Sequence, residues 1–234
     1  MRAVVARSIT LVAVLCCAAT ARAQVTVAGP ATGLNAFPFG GNGIGPSTRY
    51  QQVYSATAFS GPLTIREITF FRGELPGFLN AGTFELYLST SSAPLYSLNL
   101  TDFDANLGMA TSLFGTFAIG GEAPPELSFV GGPYLYDPAL GNLLFDLRVV
   151  GTLTSAPQGT RAAFRARGGG PGSNYSRAQN FGGQTVGINA GAGLDTRFSP
   201  TATSVVPEPS VAVLLTSGLL AVGGVARRRR RTTA

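Results

Sequence analysis

Between Gln24 and Val205 no stretch long enough for a helix places its apolar side chains at helical spacing. The apolar residues come instead in short runs, and the clearest of these alternates. In Thr83 to Thr90 (TFELYLST), Phe84, Leu86 and Leu88 fall on one side, and Glu85 and Tyr87 on the other. A period of two is that of a half-buried strand. Leu63 to Phe71, Leu113 to Ile119, Glu126 to Val130, Asn142 to Gly151 and Arg161 to Ala166 are further strand candidates. In Asn142 to Gly151, Leu144, Asp146 and Arg148 alternate with Leu143, Phe145, Leu147 and Val149. Gly61-Pro62, Asn80-Ala81-Gly82, Gly131-Gly132-Pro133 and Gly168 to Gly172 punctuate these runs as turns. Many short strands at turn spacing predict an all-β fold, an antiparallel β-sandwich of jelly-roll-like form. Ser55 to Gly61 and Thr101 to Ser112 each have room for one short helix or turn. The polar, Gly-rich stretch Asn174 to Gly193 is expected to be a long loop or irregular strands.

The two ends differ from this middle. Arg2 and Arg7 precede an apolar run, Ile9 to Ala19, and Ala21-Arg22-Ala23 has the small-residue pattern of a cleavage site. That is the layout of a signal peptide, with the exported chain starting at Gln24; the run is short for a membrane-spanning helix. Leu15, where a lipoprotein signal has a small residue, argues against lipidation at Cys16. Near the other end, Ser210 to Ala226 is a run of seventeen uncharged residues followed by Arg227, Arg228, Arg229, Arg230 and Arg231. As a helix it would span ~25 Å, close to the lower limit for crossing a bilayer. The arginines place its end on the cytoplasmic side and act as a stop-transfer anchor. The chain therefore divides into a signal peptide (1–23), a β-sandwich domain (24–198), a linker (199–205) and a C-terminal segment (206–231). That segment holds a Pro-flanked motif (206–210), a single transmembrane helix (210–226) and the arginine cluster (227–231).

Charge and residue usage exclude much chemistry. The formal net charge of +6 belongs to the ends: from Gln24 to Val205, nine arginines face ten acidic residues. This is not a nucleic-acid footprint, and no nucleic-acid partner is expected. The sequence has no His and no Lys, and its only cysteines, Cys16 and Cys17, lie in the signal peptide. Ser-His-Asp and Cys-His nucleophiles, His- or thiolate-ligated zinc, the P-loop lysine and Schiff bases are all excluded. No cofactor is expected, and no disulfide can staple the exported domain. A domain of this size buries roughly 70% of its unfolded surface, which is enough to fold without one.

The carboxylates remain. A glycosidase needs only two of them, and Asp102, Asp104, Glu122, Glu126, Asp137 and Asp146 are candidates, mostly in turn contexts. Asp102, Asp104 and Asn106 alternate like the opening of a calcium loop. Leu107 stands where that loop needs glycine and Leu113 where it needs a glutamate, so a solvated turn is the simpler expectation. Tyr50, Tyr54, Tyr134 and Tyr136 are expected as core and cross-strand pairs; the alternative is that, if exposed, they stack against sugar rings.

Val206, Pro207, Glu208, Pro209 and Ser210, then an apolar helix, then an arginine cluster, resemble the PEP-CTERM sorting signal of Gram-negative bacteria. The likeness covers the last part of the chain, from Val206 onward. It implies recognition by exosortase, a membrane-embedded processing enzyme thought to cut near the motif. It also implies Sec export, an inner-membrane stage with the domain outside, and delivery to the surface or matrix of a cell that makes exopolysaccharide. Pro207, Glu208 and Pro209 would then be substrate positions, with no catalytic residue carried over. Prolines on both sides of Glu208 hold the segment extended and remove backbone donors, as a processing enzyme requires. The stretch Arg49 to Phe70 also resembles Gly-rich β-domains of other such proteins. The sequence thus points to a non-enzymatic matrix protein, with a carbohydrate-binding module and a two-carboxylate hydrolase as alternatives.

Overall fold

A computed structural model describes residues 24–28, 33–41, 48–166, 173–181, 184–189 and 193–200. The cleavage site at Ala21 and Ala23, the linker beyond Pro200, the sorting motif, the transmembrane helix and the arginine cluster lie outside them. Among the described residues no helix is long and apolar enough to cross a membrane.

The domain is all-β and antiparallel. Twelve strands run in chain order: β1 (Val25–Val27), β2 (Gly33–Asn35), β3 (Arg49–Tyr54), β4 (Leu63–Phe71), β5 (Phe78–Ser91), β6 (Met109–Glu122), β7 (Glu126–Tyr136), β8 (Asn142–Thr154), β9 (Phe164–Ala166), β10 (Tyr175–Phe181), β11 (Gln184–Asn189) and β12 (Thr196–Ser199). One sheet has the order β1-β12-β4-β7, the other β11-β10-β3-β8-β5-β6, and β2 pairs with β9 at one end. The sandwich architecture expected from the sequence is what forms.

Alternation explains most of it. Phe84, Leu86 and Leu88 of β5 are fully buried, while Glu85 and Tyr87 face outward. In β8, Leu143, Phe145 and Leu147 enter the same core. In β4 the alternation breaks: Ile65 and Ile68, three apart, both face inward. A register shift between Ile65 and Glu67 against β7 makes this possible, because a bulge inserts one residue and re-aims the side chains beyond it. Phe39 sits at the centre of the core, with the rings of Phe70, Phe84, Phe129 and Phe164 at centroid distances of 5.2, 6.3, 5.5 and 5.4 Å. Edge, tilted and stacked contacts of this kind add to the burial of large rings.

A second, smaller core lies on the far side of the six-stranded sheet. The loop after β5 folds back, and Leu98 and Phe103 cover Val53, Leu144 and Ala178. Leu144, on the outward side of β8, is buried for this reason. Gly108 closes the loop so tightly that a Cβ there would lie 1.6 Å from the Thr90 carbonyl oxygen, so only glycine fits.

One sequence expectation is corrected and two open alternatives are decided. Of the two readings of Asn174 to Gly193, irregular strands are what form: it holds β10 and β11, an antiparallel pair with one register shift between Ala178 and Asn180. Ser199, assigned to the linker, is the last residue of β12, is fully buried, and pairs with Glu67. Tyr50, Tyr54, Tyr134 and Tyr136 are all buried, as core packing predicts, which sets aside the sugar-stacking alternative for them. Tyr54 shares a hydrogen bond with Thr196 at 2.7 Å, Tyr134 with Thr90 at 3.1 Å, and Tyr136 donates to the Gly141 carbonyl at 2.8 Å.

Burial of these phenols sets the alkaline limit of the fold. Desolvation pushes Tyr50 up to about 12 from an ordinary 10.0, and holds Tyr54 and Tyr136 well above their usual range. The folded chain keeps these protons after the unfolded chain has released them. Their contribution is therefore complete below pH 10.0 and is lost as pH rises toward about 12. Tyrosinate absorbance should lag during alkaline titration, then rise together with loss of structure. A smooth rise from all tyrosines before unfolding would contradict this burial.

Candidate functional site

Of the sequence-predicted acids the structure brings Asp104 and Asp146 together, both on Arg49 Nη2 at 2.8 and 2.7 Å, while the other four have separate roles. Asp102 accepts hydrogen bonds from the backbone N–H groups of Asp104 and Ala105, at 3.0 and 3.3 Å. Asn106 is buried and donates to Gln51 Oε1 at 2.8 Å and to the Asn99 carbonyl at 2.9 Å. Asp104 faces Arg49 at 2.8 Å. The weak calcium candidates Asp102, Asp104 and Asn106 build a capped turn, the simpler expectation, and tie it to β3. Among the described residues no three potential metal-binding side chains cluster. Asp137 caps the short turn Pro138–Leu140, Glu126 pairs with Arg197 at 2.6 Å, and Glu122 ends β6. A groove of about 330 Å³ beside Val25, Ser60 to Thr64 and Pro200 is lined by no ionisable side chain.

What the fold does assemble is a polar face on the outside of the six-stranded sheet. Register places Arg49, Arg148, Glu85 and Thr116 in one row across β3, β8, β5 and β6. The next row holds Gln51, Asp146, Tyr87 and Leu113. Asp146 is the hub, with its side chain 1% exposed. Arg49 donates to it from Nε and Nη2, both at 2.7 Å. Arg148 donates from Nε at 3.0 Å and Nη2 at 2.8 Å. Burial alone would lower the Arg49 guanidinium; the hydrogen bonds and charges of Asp146 and Asp104 outweigh it and hold Arg49 above its usual value.

Tyr87 stands beside this hub. The Arg148 guanidinium lies 4.3 Å from its ring centroid, and its hydroxyl donates to Glu85 at 2.9 Å. That hydrogen bond, with burial second, raises the Tyr87 hydroxyl above its ordinary value. Half-exposed Leu113 continues the surface. The result is a face with the Tyr87 ring, the guanidinium groups of Arg49 and Arg148, and the carboxylates of Glu85, Asp104 and Asp146. Such a face suits a polyhydroxylated ligand, which offers donors, acceptors and an apolar ring surface. The sequence pattern alone places Glu85 and Tyr87 on the outward side. Arg49 carries no such signal, because only the β3–β8 register brings it to Asp146.

Comparison with known proteins gives nothing to lean on: no family model, no curated protein and no solved structure matches this chain.

Proposed function

We propose that the chain is an exported, non-enzymatic protein of the cell surface or extracellular matrix, sorted and cleaved through its C-terminal motif. The observation that carries this is the order of its parts: signal peptide, Cys-free β-domain, Val206 to Ser210, apolar run, and Arg227 to Arg231. An exposed, proline-stiffened segment outside a membrane helix is a good substrate for a membrane-embedded processing enzyme of the exosortase type. The inner membrane holds the chain until cleavage, and the jelly-roll-like sandwich is the delivered cargo. A core of buried rings suits a domain that has no cysteine to cross-link. The direct test replaces Pro207, Glu208 and Pro209 with alanine and follows the protein between membrane and extracellular fractions.

A second reading, binding of the producer's exopolysaccharide, is favoured by the Tyr87 face. Tyr87→Ala should cost no more than about 1 kcal/mol of stability, the scale of one exposed cation–π contact. It should weaken retention on the native polysaccharide about tenfold, equivalent to ~1.4 kcal/mol. Unchanged retention in a pull-down would remove Tyr87 from any sugar site.

A further inference from the structure

Among the described residues, β10 carries a charge with no ion-pair partner. Its residue Arg177 is 7% exposed and points to the inner side of the sheet, alongside Tyr175, which packs on Tyr54. Among the described residues, Arg177 Nε and Nη1 have no hydrogen-bond partner. The guanidinium meets the Tyr50 hydroxyl, and no carboxylate is among the groups that act on its charge. Gln52, opposite Arg177 in register, has its acceptor taken: its Oε1 accepts from the Leu194 N–H and from Tyr50, while its Nε2 donates to the Leu194 carbonyl. Asp195 takes the Tyr175 hydroxyl at 2.9 Å. A guanidinium cannot discharge itself by losing a proton. Buried charges are normally paired, so an unpaired one points to an anion that belongs there.

Two residues further along the same face, Gln179 Oε1 is also closed to solvent and unpartnered. Its register partner is Tyr50, so it faces the same interior as Arg177. The two groups ask for opposite things. Arg177 needs an anionic acceptor; Gln179 needs a hydrogen-bond donor about 6–7 Å away along the strand. One molecule that offers both is a carboxylate carrying hydroxyl groups.

We propose that Arg177 and Gln179 form a binding site for a hydroxylated carboxylate of the uronic-acid class, with the carboxylate on Arg177 and a hydroxyl on Gln179. The partly exposed Gln179 marks the side of entry, and the carboxylate seats more deeply. The free nitrogens are shielded from solvent, so association requires local yielding at this corner and is slower than diffusion. The site deepens the sugar-binding reading, on the opposite side of the sheet from Tyr87, and is independent of the sorting signal.

Thermal unfolding of the purified chain with sodium glucuronate, glucose, or sodium chloride at matched ionic strength tests it. Glucuronate should raise the wild-type Tm saturably, by about 3–6 °C at ten times Kd. Glucose and chloride should not. Arg177→Met should start from a higher Tm, because the unpaired buried charge is gone, and should lose the glucuronate response. Should that variant fail to fold, Arg177→Lys is expected to need about tenfold more glucuronate, because it lacks the planar fork. No saturable rise in the wild type, a rise matched by chloride or glucose, or an unaltered response in Arg177→Met overturns the proposal. A Tyr87→Ala chain that loses polysaccharide retention while glucuronate has no effect would sink this site and leave the sugar-binding reading standing.

Discussion

Asp146→Ala is expected to destabilise the domain by about 3–5 kcal/mol, the range for removing one partner of a buried ion pair. The cost comes from what is left behind. Arg49 and Arg148 together give Asp146 four hydrogen bonds, and the Arg49 side chain is 15% exposed. Without Asp146, Arg49 keeps only Asp104, which is 70% exposed and holds it from the solvent side. Arg148, 32% exposed, can turn outward toward water, so the lower end of the range is expected. Asp146→Asn keeps the shape and some acceptors, and should lose less. For a domain of this size the alanine variant should unfold roughly 6–12 °C lower. Urea unfolding checks this through a lowered midpoint at unchanged m-value. A loss under about 1 kcal/mol would mean that the three charged groups are no more than a surface ion pair.

The second large effect concerns sorting. With Pro207, Glu208 and Pro209 all changed to alanine, the protein should vanish from the extracellular fraction and accumulate, full length, in the membrane. The domain is untouched by the change, so its thermal unfolding should be unaltered. Exchanging Arg227 to Arg231 for glutamine tests a different step. It weakens the stop-transfer signal and should scatter the chain's topology without altering the motif. Release of the triple-alanine variant at the wild-type level would show that the motif plays no part in processing.

The fold is legible wherever one face of a strand is apolar and the other polar. β4, from Leu63 to Phe71, has the bounds expected from its β-branched and aromatic run. β5 and β8 are readable from Phe84, Leu86, Leu88 and Leu143, Phe145, Leu147. β3 and β10 are not readable as strands, and the reason is physical. Both have buried polar side chains, which a hydropathy pattern scores as surface. Gln51 is buried because it hydrogen-bonds the Phe103 carbonyl and Asn106, and Gln52 because it holds Leu194. Arg177 and Ser176 do the same to the pattern of β10.

The tyrosines are a case where the general expectation of core packing holds. Tyr134 and Tyr136 lie beside Pro133 and Asp137, yet their rings close the core from β7. Tyr87, the ring that does face outward, sits in the clearest alternating run of the chain. Its partner Arg148 is visible on the same side of β8, yet the pairing of β5 with β8 joins segments far apart in sequence. Register of that kind is set by the whole sheet, not by local pattern.

The most direct measurement is the intact mass of the protein from its native producer, separated into membrane and extracellular material. Processing at both ends predicts an extracellular species that starts at Gln24 and ends between Pro207 and Pro209. A protein found only in the membrane, with Arg227 to Arg231 still attached, would contradict it and make the C-terminal segment a permanent anchor.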